Sequence, residues 1–327
     1  MKVLVTGGGG YIGSHCVLAL QERGYDVLVI DNLVYGHRDF LTDVLRVNWV
    51  QGDINDRALL AEIFTTYKIS AVLHFAAYAY VGESVQFPAK YYRNNVGGSL
   101  TLLEAMVAHS VPYFIFSSTC ATYGIPQVIP IPETHPQQPI NPYGKSKLMV
   151  EEMLADFEQA YGIRSVIFRY FNAAGADPQA RLGEDHNPET HLIPLVFYTA
   201  LGKRSAISIY GKDYPTPDGT CIRDYIHVMD LATAHVLGLE YLLGGNPSAA
   251  FNLGNGNGFS VQQVIDCAQI VCGRQLKVIV TDRRPGDPPI LVGSSERARA
   301  ILGWQPRYCA LEQILTDAWR WHQKRHG

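Results

Sequence analysis

Residues 2–13 read Lys2-Val3-Leu4-Val5-Thr6-Gly7-Gly8-Gly9-Gly10-Tyr11-Ile12-Gly13. A short apolar run stops at a glycine cluster. It then passes into residues 12–23, whose apolar positions recur at helical spacing. Gly7, Gly10 and Gly13 stand three residues apart. Glycine permits a tight turn and lets backbone N–H groups approach a phosphate at a helix N-terminus. A glycine run by itself is only a flexible turn. Between a strand and a helix it reads as a phosphate cradle.

The same alternation continues outward from that stretch. Residues 26–30, 47–50 and 71–75 predict further short strands. Residues 90–109 predict one long helix, 112–117 a strand, 142–161 a helix and 165–171 a strand. Unbroken apolar strands between helices indicate a parallel sheet covered on both faces. Right-handed crossovers make it a doubly wound, Rossmann-like α/β fold. After Asn172 the rhythm breaks. Residues 177–189 are polar and contain Pro178 and Pro188, and residues 210–219 predict an ordered loop. Helices are expected from about 191 to 202, over 230–243, from a Ser260 cap to Gly273, and twice near the end. Strands are expected at 250–253 and 276–281. The chain therefore divides into a dinucleotide-binding domain, 1–174, and a smaller α/β substrate lobe, 175–327. Some segments of the lobe return to the first domain.

The chain has 327 residues, too many for one comfortable core. Its net charge of -3 provides no basic field, so neither nucleic acid nor an anionic membrane is an expected partner. No stretch is apolar enough to span a bilayer, and the N-terminus lacks the features of a signal peptide. The cytoplasm is the expected compartment. Cys16, Cys120, Cys221, Cys267, Cys272 and Cys309 are scattered without paired spacing, and are expected as free thiols. No His, Asp and Glu cluster has ligand spacing, so no metal is expected. His74 and His227 lie in apolar segments and read as packing residues.

Asp31 follows the second strand, where a carboxylate accepts hydrogen bonds from ribose hydroxyls and repels a 2′-phosphate. The expected cofactor is NAD, with Asn32 beside Asp31. Tyr143-Gly144-Lys145-Ser146-Lys147 contains Tyr-x-x-x-Lys, which places Tyr143 and Lys147 one turn apart on the same helix face. Asn141 suits the N-cap and Pro142 the first helical position. Tyr143 then sits in the first turn, where the helix dipole and the Lys147 ammonium favour a phenolate and general-base chemistry. Thr119, at a strand end, is placed to bridge Tyr143 and a substrate hydroxyl. A lone Tyr-x-x-x-Lys is common on surface helices; the glycine loop upstream raises its meaning.

The Gly-x-x-Gly-x-x-Gly spacing with Tyr-x-x-x-Lys resembles the extended short-chain dehydrogenase/reductase family. Longer strings resemble its UDP-glucose/UDP-galactose 4-epimerase branch over nearly the whole chain. They are GGGGYIGSH (7–15), HFAAYAYVGESV (74–85), FSSTCATYG (116–124), NPYGKSKLMV (141–150), RYFN (169–172), RDYIHVMDL (223–231) and RRPGD (283–287). The resemblance implies a bound NAD and a UDP-sugar. Tyr143 would take the 4′-hydroxyl proton as C4 is oxidised. The 4-keto sugar would turn about its diphosphate bond and be reduced from the other face. It also implies cofactor contacts from Tyr11 and Ile12, from Asp53 and Ile54, from Phe75, Ala76 and Ala77, and from Asn94, Tyr170 and Phe171. Lys147 would bond the nicotinamide ribose. Arg223 and Arg284 would grip the diphosphate, a role suited to a guanidinium fork. Asn172, with His191 and Leu192, would assist them. Asp287 and Tyr210 would hold the ribose and uracil ends. Leu291 stands where relatives carry a residue that controls sugar size, and Ala79 stands where many carry Lys. A homodimer through the helices at 90–109 and 142–161 follows by the same analogy.

Three other readings start from the same residues. The strings at 74–84 and 117–124 also resemble UDP-arabinose/UDP-xylose 4-epimerases. A nucleotide-sugar 4,6-dehydratase would carry Thr-Asp-Glu where this chain has Thr119-Cys120-Ala121. A non-catalytic NAD sensor would be expected to lack Tyr143 or Lys147.

Overall fold

Successive side chains of a strand face opposite sides, so the first strand seeds two layers. Val3 and Val5 enter one core with Val17, Leu20, Val29, Phe168 and Leu231. Leu4 enters another with Leu28, Leu60, Val72, Leu102, Phe114 and Leu154. The computed structural model describes residues 1–284 and 286–327; Pro285, within the string at 283–287, lies outside the described residues.

The two cores sandwich a parallel seven-stranded sheet. Across it the order is Ala249–Leu253, Arg164–Tyr170, Tyr113–Thr119, Ile69–His74, Lys2–Thr6, Asp26–Asp31 and Asn48–Gln51. The chain winds outward in both directions from Lys2–Thr6. A crevice therefore opens at the carboxyl ends of the central strands, the usual ligand position in such sheets. Thr6, Asp31, His74, Thr119 and Tyr170 are the last residues of five of these strands.

Beyond residue 174 the chain re-enters the first layer. Helix Val228–Leu243 packs on helix Tyr11–Glu22, and strand Ala249–Leu253 pairs with Arg164–Tyr170 at the sheet edge. A third core, with Ile193, Phe197, Ile207, Val264, Ile314 and Trp319, belongs to the smaller lobe. Its strands are brief. Ile207–Tyr210 pairs with Val278–Thr281, and Ile222–Arg223 lies between Phe259–Ser260 and Ile290–Leu291. Such two- to four-residue pieces are too short to show a period in sequence. Ser260 caps helix Val261–Cys272 with a full capping box, as its position predicts.

The single helix expected over 90–109 is interrupted. Pro88–Tyr91 is α-helical, Tyr92–Gly97 widens to a π turn, and Gly98–Ala108 resumes the α-helix. Packing explains the break. A Cβ on Gly98 would lie 2.7 Å from Ile54 Cδ1. Buried Asn95, in the π turn, donates to the Tyr78 carbonyl at 3.0 Å and accepts from the Tyr78 N–H at 2.9 Å. The wide turn thus clamps the segment after the fourth strand, a common use of π turns near functional sites. Among the described residues no helix is long and apolar enough to cross a membrane.

Phe168 is fully buried, with ring centroids 4.7 Å from His235 and 6.1 Å from Phe251. Phe168→Ala is expected to cost about 3–5 kcal/mol of stability. Urea unfolding followed by circular dichroism measures it.

Candidate active site

Gly7 closes the turn at the first strand's end with φ +71°, and its N–H donates to the Ile30 carbonyl at 2.9 Å. A Cβ on Gly13 would stand 2.1 Å from the Gly7 carbonyl oxygen, and one on Gly7 2.7 Å from the Ala76 nitrogen. Only hydrogen fits at these points. The loop therefore lies flat against the sheet and the helix begins at Tyr11. Its N-terminal N–H groups and dipole face the crevice, which suits a pyrophosphate. Asp31 is buried; its Oδ2 accepts from Gly9 N and its Oδ1 from Leu33 N, both at 2.8 Å. Burial raises its pKa, while those two N–H bonds pull it down. A carboxylate offers about four acceptor positions, so two remain for ribose hydroxyls. Arg38 is diverted, bonding Gln51 Oε1 at 2.8 Å and lying over the Trp49 ring. Its guanidinium is therefore not offered to a 2′-phosphate. These features fit NAD.

The cleft holds about 1520 Å³, more than the ~300–1,000 Å³ of a pocket for one small ligand. Gly7, Gly10, Tyr11, Ile12, Gly13, Asp31 and Asn32 line its cofactor end, with Ile54 and the Phe75-Ala76-Ala77 segment. Asn94, Thr119, Tyr143, Lys147, Tyr170 and Phe171 line the middle. Asn172, His191, Leu192, Arg223, Arg284, Asp287 and Leu291 line the far side. Two expected residues stand outside the lining. Asp53 is taken up by local polar groups: Asn32 Nδ2 donates to it at 2.9 Å, and Asn55 donates both its N–H and its Nδ2. Tyr210 instead backs Arg284, whose guanidinium lies 3.9 Å from the Tyr210 ring centroid.

Asn141 Oδ1 accepts from Gly144 N at 2.8 Å, and Pro142 follows, so helix Pro142–Tyr161 starts as its sequence predicts. A Cβ on Gly144 would meet the Ala121 carbonyl oxygen at 2.5 Å. Glycine there seats the first helical turn against the end of the Tyr113–Thr119 strand. Tyr143 and Thr119 consequently share the cleft wall. Lys147 Nζ donates to the Ser117 carbonyl at 2.8 Å.

The electrostatic expectation for this pair needs correction. Among the protein's own groups burial outweighs the nearby charge. It pushes the Tyr143 phenol up to about 12, against a lowering hydrogen bond from Thr119. It also drives Lys147 down to about 7, although Glu151 one turn on pulls it up. Both groups have lost water, and low-dielectric surroundings disfavour the charged form of each. Below that layer Glu151 is bonded by Ser118 and by Arg169, whose Nη2 lies 2.6 Å from Oε2.

On the far side Arg223 pairs with Asp287 and donates to the Ile222 carbonyl. The two expected ligands of a nucleotide thus hold each other in the protein alone. Arg284 has no ion pair among the described residues. Leu291 packs with Phe171, Tyr123 and Ile131.

Several lining residues escaped the sequence reading: Tyr35, Tyr78, Tyr80, Cys120, Glu184 and His186. Tyr80 donates to the Pro188 carbonyl at 2.8 Å, tying the first lobe to the 184–191 loop. Ala79 lines the cleft. The adjacent cation, Lys90, is held by Glu83 at 2.7 Å and lies over the Tyr78 ring. The signal for Glu184 and His186 was present in Gly183-Glu184-Asp185-His186-Asn187-Pro188-Glu189-Thr190-His191, a polar loop dense in potential ligands.

Comparison with known proteins places this geometry. Residues 3–254 match the NAD dependent epimerase/dehydratase family. A UDP-glucose 4-epimerase of Halalkalibacterium halodurans is 54% identical over 328 residues, covering 100% of this chain and 97% of that protein. The crystal structure of UDP-glucose 4-epimerase from Brucella ovis in complex with NAD superposes with a TM-score of 0.95 at 50% identity, covering 98% of this chain and 97% of that one. A Stenotrophomonas maltophila UDP-glucose 4-epimerase with bound NAD and formylated UDP-arabinopyranose is similar at TM-score 0.95 and 38% identity, over 99% and 98% of the two chains.

Gly13→Ala forces a methyl group into the Gly7 carbonyl. The strain of such overpacking, about 1–3 kcal/mol, is expected to weaken NAD binding roughly 5- to 150-fold. Calorimetric titration with NAD measures it.

Proposed function

This chain belongs to the NAD-dependent epimerase/dehydratase family, and from that premise we infer that it is a UDP-glucose 4-epimerase, an isomerase that interconverts UDP-glucose and UDP-galactose through a transient 4-keto sugar. The observation that carries the reading is the convergence of Tyr143, Thr119 and Lys147 in one cleft with the glycine cradle. Full-length relatives at about 50% identity support it.

Tyr143, as its phenolate, accepts the proton of the sugar 4′-hydroxyl through the bridging Thr119 hydroxyl, and returns it when C4 is reduced. Held by the glycine cradle and Asp31, NAD would supply the hydride acceptor and then donor for oxidation and reduction at C4, together with a positive charge. That positive charge opposes the burial that holds Tyr143 near 12. Lys147, anchored on the Ser117 carbonyl, reaches the nicotinamide ribose from the same helix face. Asp31 selects the unphosphorylated adenosine ribose.

Arg223, Arg284 and Asn172 grip the UDP diphosphate. For Arg223 this requires exchange of its Asp287 partner for phosphate oxygens, which frees Asp287 for the uridine ribose. The uridine end must be held firmly while the sugar is held loosely, because a gripped ring cannot present both faces of C4. Apolar Leu291 and Phe171 leave the sugar end without a strong hydrogen-bond anchor of their own. Elimination chemistry is not supported, since Cys120 and Ala121 provide no acid or base after Thr119.

We further infer a homodimer through helices Gly98–Ala108 and Pro142–Tyr161. They carry exposed Leu100 and Met149 on the molecular surface, 37% and 41% accessible. The cytoplasmic placement agrees with six free thiols, the state a reducing compartment maintains.

Incubation with UDP-glucose, without added NAD, is expected to yield UDP-galactose by NMR. A dehydrated keto product would overturn the reading, and faster conversion of UDP-arabinose or UDP-xylose would move it to a pentose epimerase. Tyr143→Phe is expected to lower kcat by about 10²–10⁴-fold while bound NAD is retained. Light scattering at micromolar concentration is expected to give twice the chain mass; a monomer would refute the dimer.

A further inference from the structure

The loop between the two lobes brings together four side chains that the reaction does not use as a set. Glu184, His186, Glu189 and His191 each direct one donor atom to a common point, and the four atoms lie within 4.8 Å of one another. We propose that these residues bind one divalent transition-metal ion of the zinc class at the wall of the cleft.

The distances suit such an ion. Zinc binds imidazole nitrogen and carboxylate oxygen at about 2.0–2.1 Å in a tetrahedron, which gives ligand-to-ligand edges of roughly 3.3 Å. His186 Nδ1 lies 3.2 Å from Glu184 Oε1 and 3.7 Å from Glu189 Oε2. His191 Nδ1 lies 2.5 Å from Glu184 Oε1. The two His186 separations are close to tetrahedral edges, and the His191 one must open by less than about 1 Å.

Hydrogen bonding inside the cluster is incomplete in a way that points to a ligand. The Glu189 side chain is only 3% exposed, yet its Oε2 has no hydrogen-bond partner. His186 Nδ1 is likewise buried without one. Buried polar atoms are normally hydrogen-bonded; here these two meet only as an ion pair 3.7 Å apart, beyond hydrogen-bond reach. The other Glu189 oxygen is fully employed. It accepts from Thr190 N at 2.7 Å and His191 N at 2.8 Å, which fixes the carboxylate with Oε2 facing the cluster. Outer-shell bonds of this kind orient ligands in metal sites.

The scaffold is anchored on both lobes. The Glu184 carbonyl accepts from Trp321 Nε1 at 2.9 Å, and the Pro188 carbonyl accepts from Tyr80. His191 is the N-cap residue of helix Leu192–Ala200. An ion would thus clip the two ends of the loop together. Its path of entry is the cleft, where the His191 side chain is 46% exposed. Two carboxylates balance a divalent charge. Two imidazoles favour zinc, cobalt or nickel over magnesium and calcium, which prefer all-oxygen ligands. Linear spacing concealed the site from the expectation of no metal, because Glu-x-His-x-x-Glu-x-His follows no common helical or finger pattern.

The test uses NAD-loaded protein, dialysed against chelator and returned to metal-free buffer. Calorimetric titration with zinc chloride is expected to give one ion per chain, and saturation is expected to raise the melting temperature. Cobalt substitution is expected to give the visible d–d bands of a tetrahedral site without thiolate charge-transfer absorption, which separates this site from any formed by the cysteines. His186→Gln and Glu189→Gln, each checked for retained NAD, are expected to weaken zinc at least about tenfold. The proposal is overturned if wild-type protein binds no stoichiometric zinc, if cobalt shows thiolate ligation, or if NAD-retaining variants bind zinc as tightly as wild type.

Discussion

The cofactor end of the cleft rests on a close approach between two backbones, at the point where the Gly7 carbonyl leaves no room for a Cβ on residue 13. A side chain there would lift the first helix from the sheet and turn its free N–H groups away from the crevice. Position 7 adds a second requirement, since its φ of +71° is available to glycine at little cost. Asp31 reinforces this contact by accepting from Gly9 N across the loop, which holds the cradle in shape.

A similar economy joins helix Pro142–Tyr161 to strand Tyr113–Thr119. Gly144 touches the Ala121 carbonyl, and Lys147 is tied to the Ser117 carbonyl. Tyr143 is thereby set beside Thr119 without a direct ion pair to Lys147. The price of that placement is desolvation, which makes the phenol a weaker acid and the ammonium a stronger one than in water.

The second lobe is less a separate domain than a set of excursions. Its chain leaves the sheet after Tyr170, builds the nucleotide-facing wall, and returns as helix Val228–Leu243 and strand Ala249–Leu253. Arg223 stands just before that return, and Arg284 comes from a later excursion. The two guanidinium groups therefore face the cleft from segments whose ends are pinned to the central core. The 184–191 loop is pinned from both sides as well, through Tyr80 and Trp321.

Local chemistry was legible in the residues themselves. The parallel strands, the glycine cradle, the Asn141-Pro142 helix start and the Ser260 capping box all follow from neighbours a few positions apart. The pairing of Tyr143 with Lys147 is also local, being one helical turn. What the chain alone did not disclose depends on contacts between distant segments. The π turn at Tyr92–Gly97 arises because Gly98 must pack on Ile54 and Asn95 must bond Tyr78. The carboxylate of Asp53 is consumed by Asn32, and Tyr210 lies behind Arg284 instead of in the cleft. The shifts of Tyr143 and Lys147 come from burial, a property of the assembled molecule that no spacing records. The convergence of Glu184, His186, Glu189 and His191 likewise appears only when the loop is folded, because donor atoms meet in space at angles that a linear sequence does not carry.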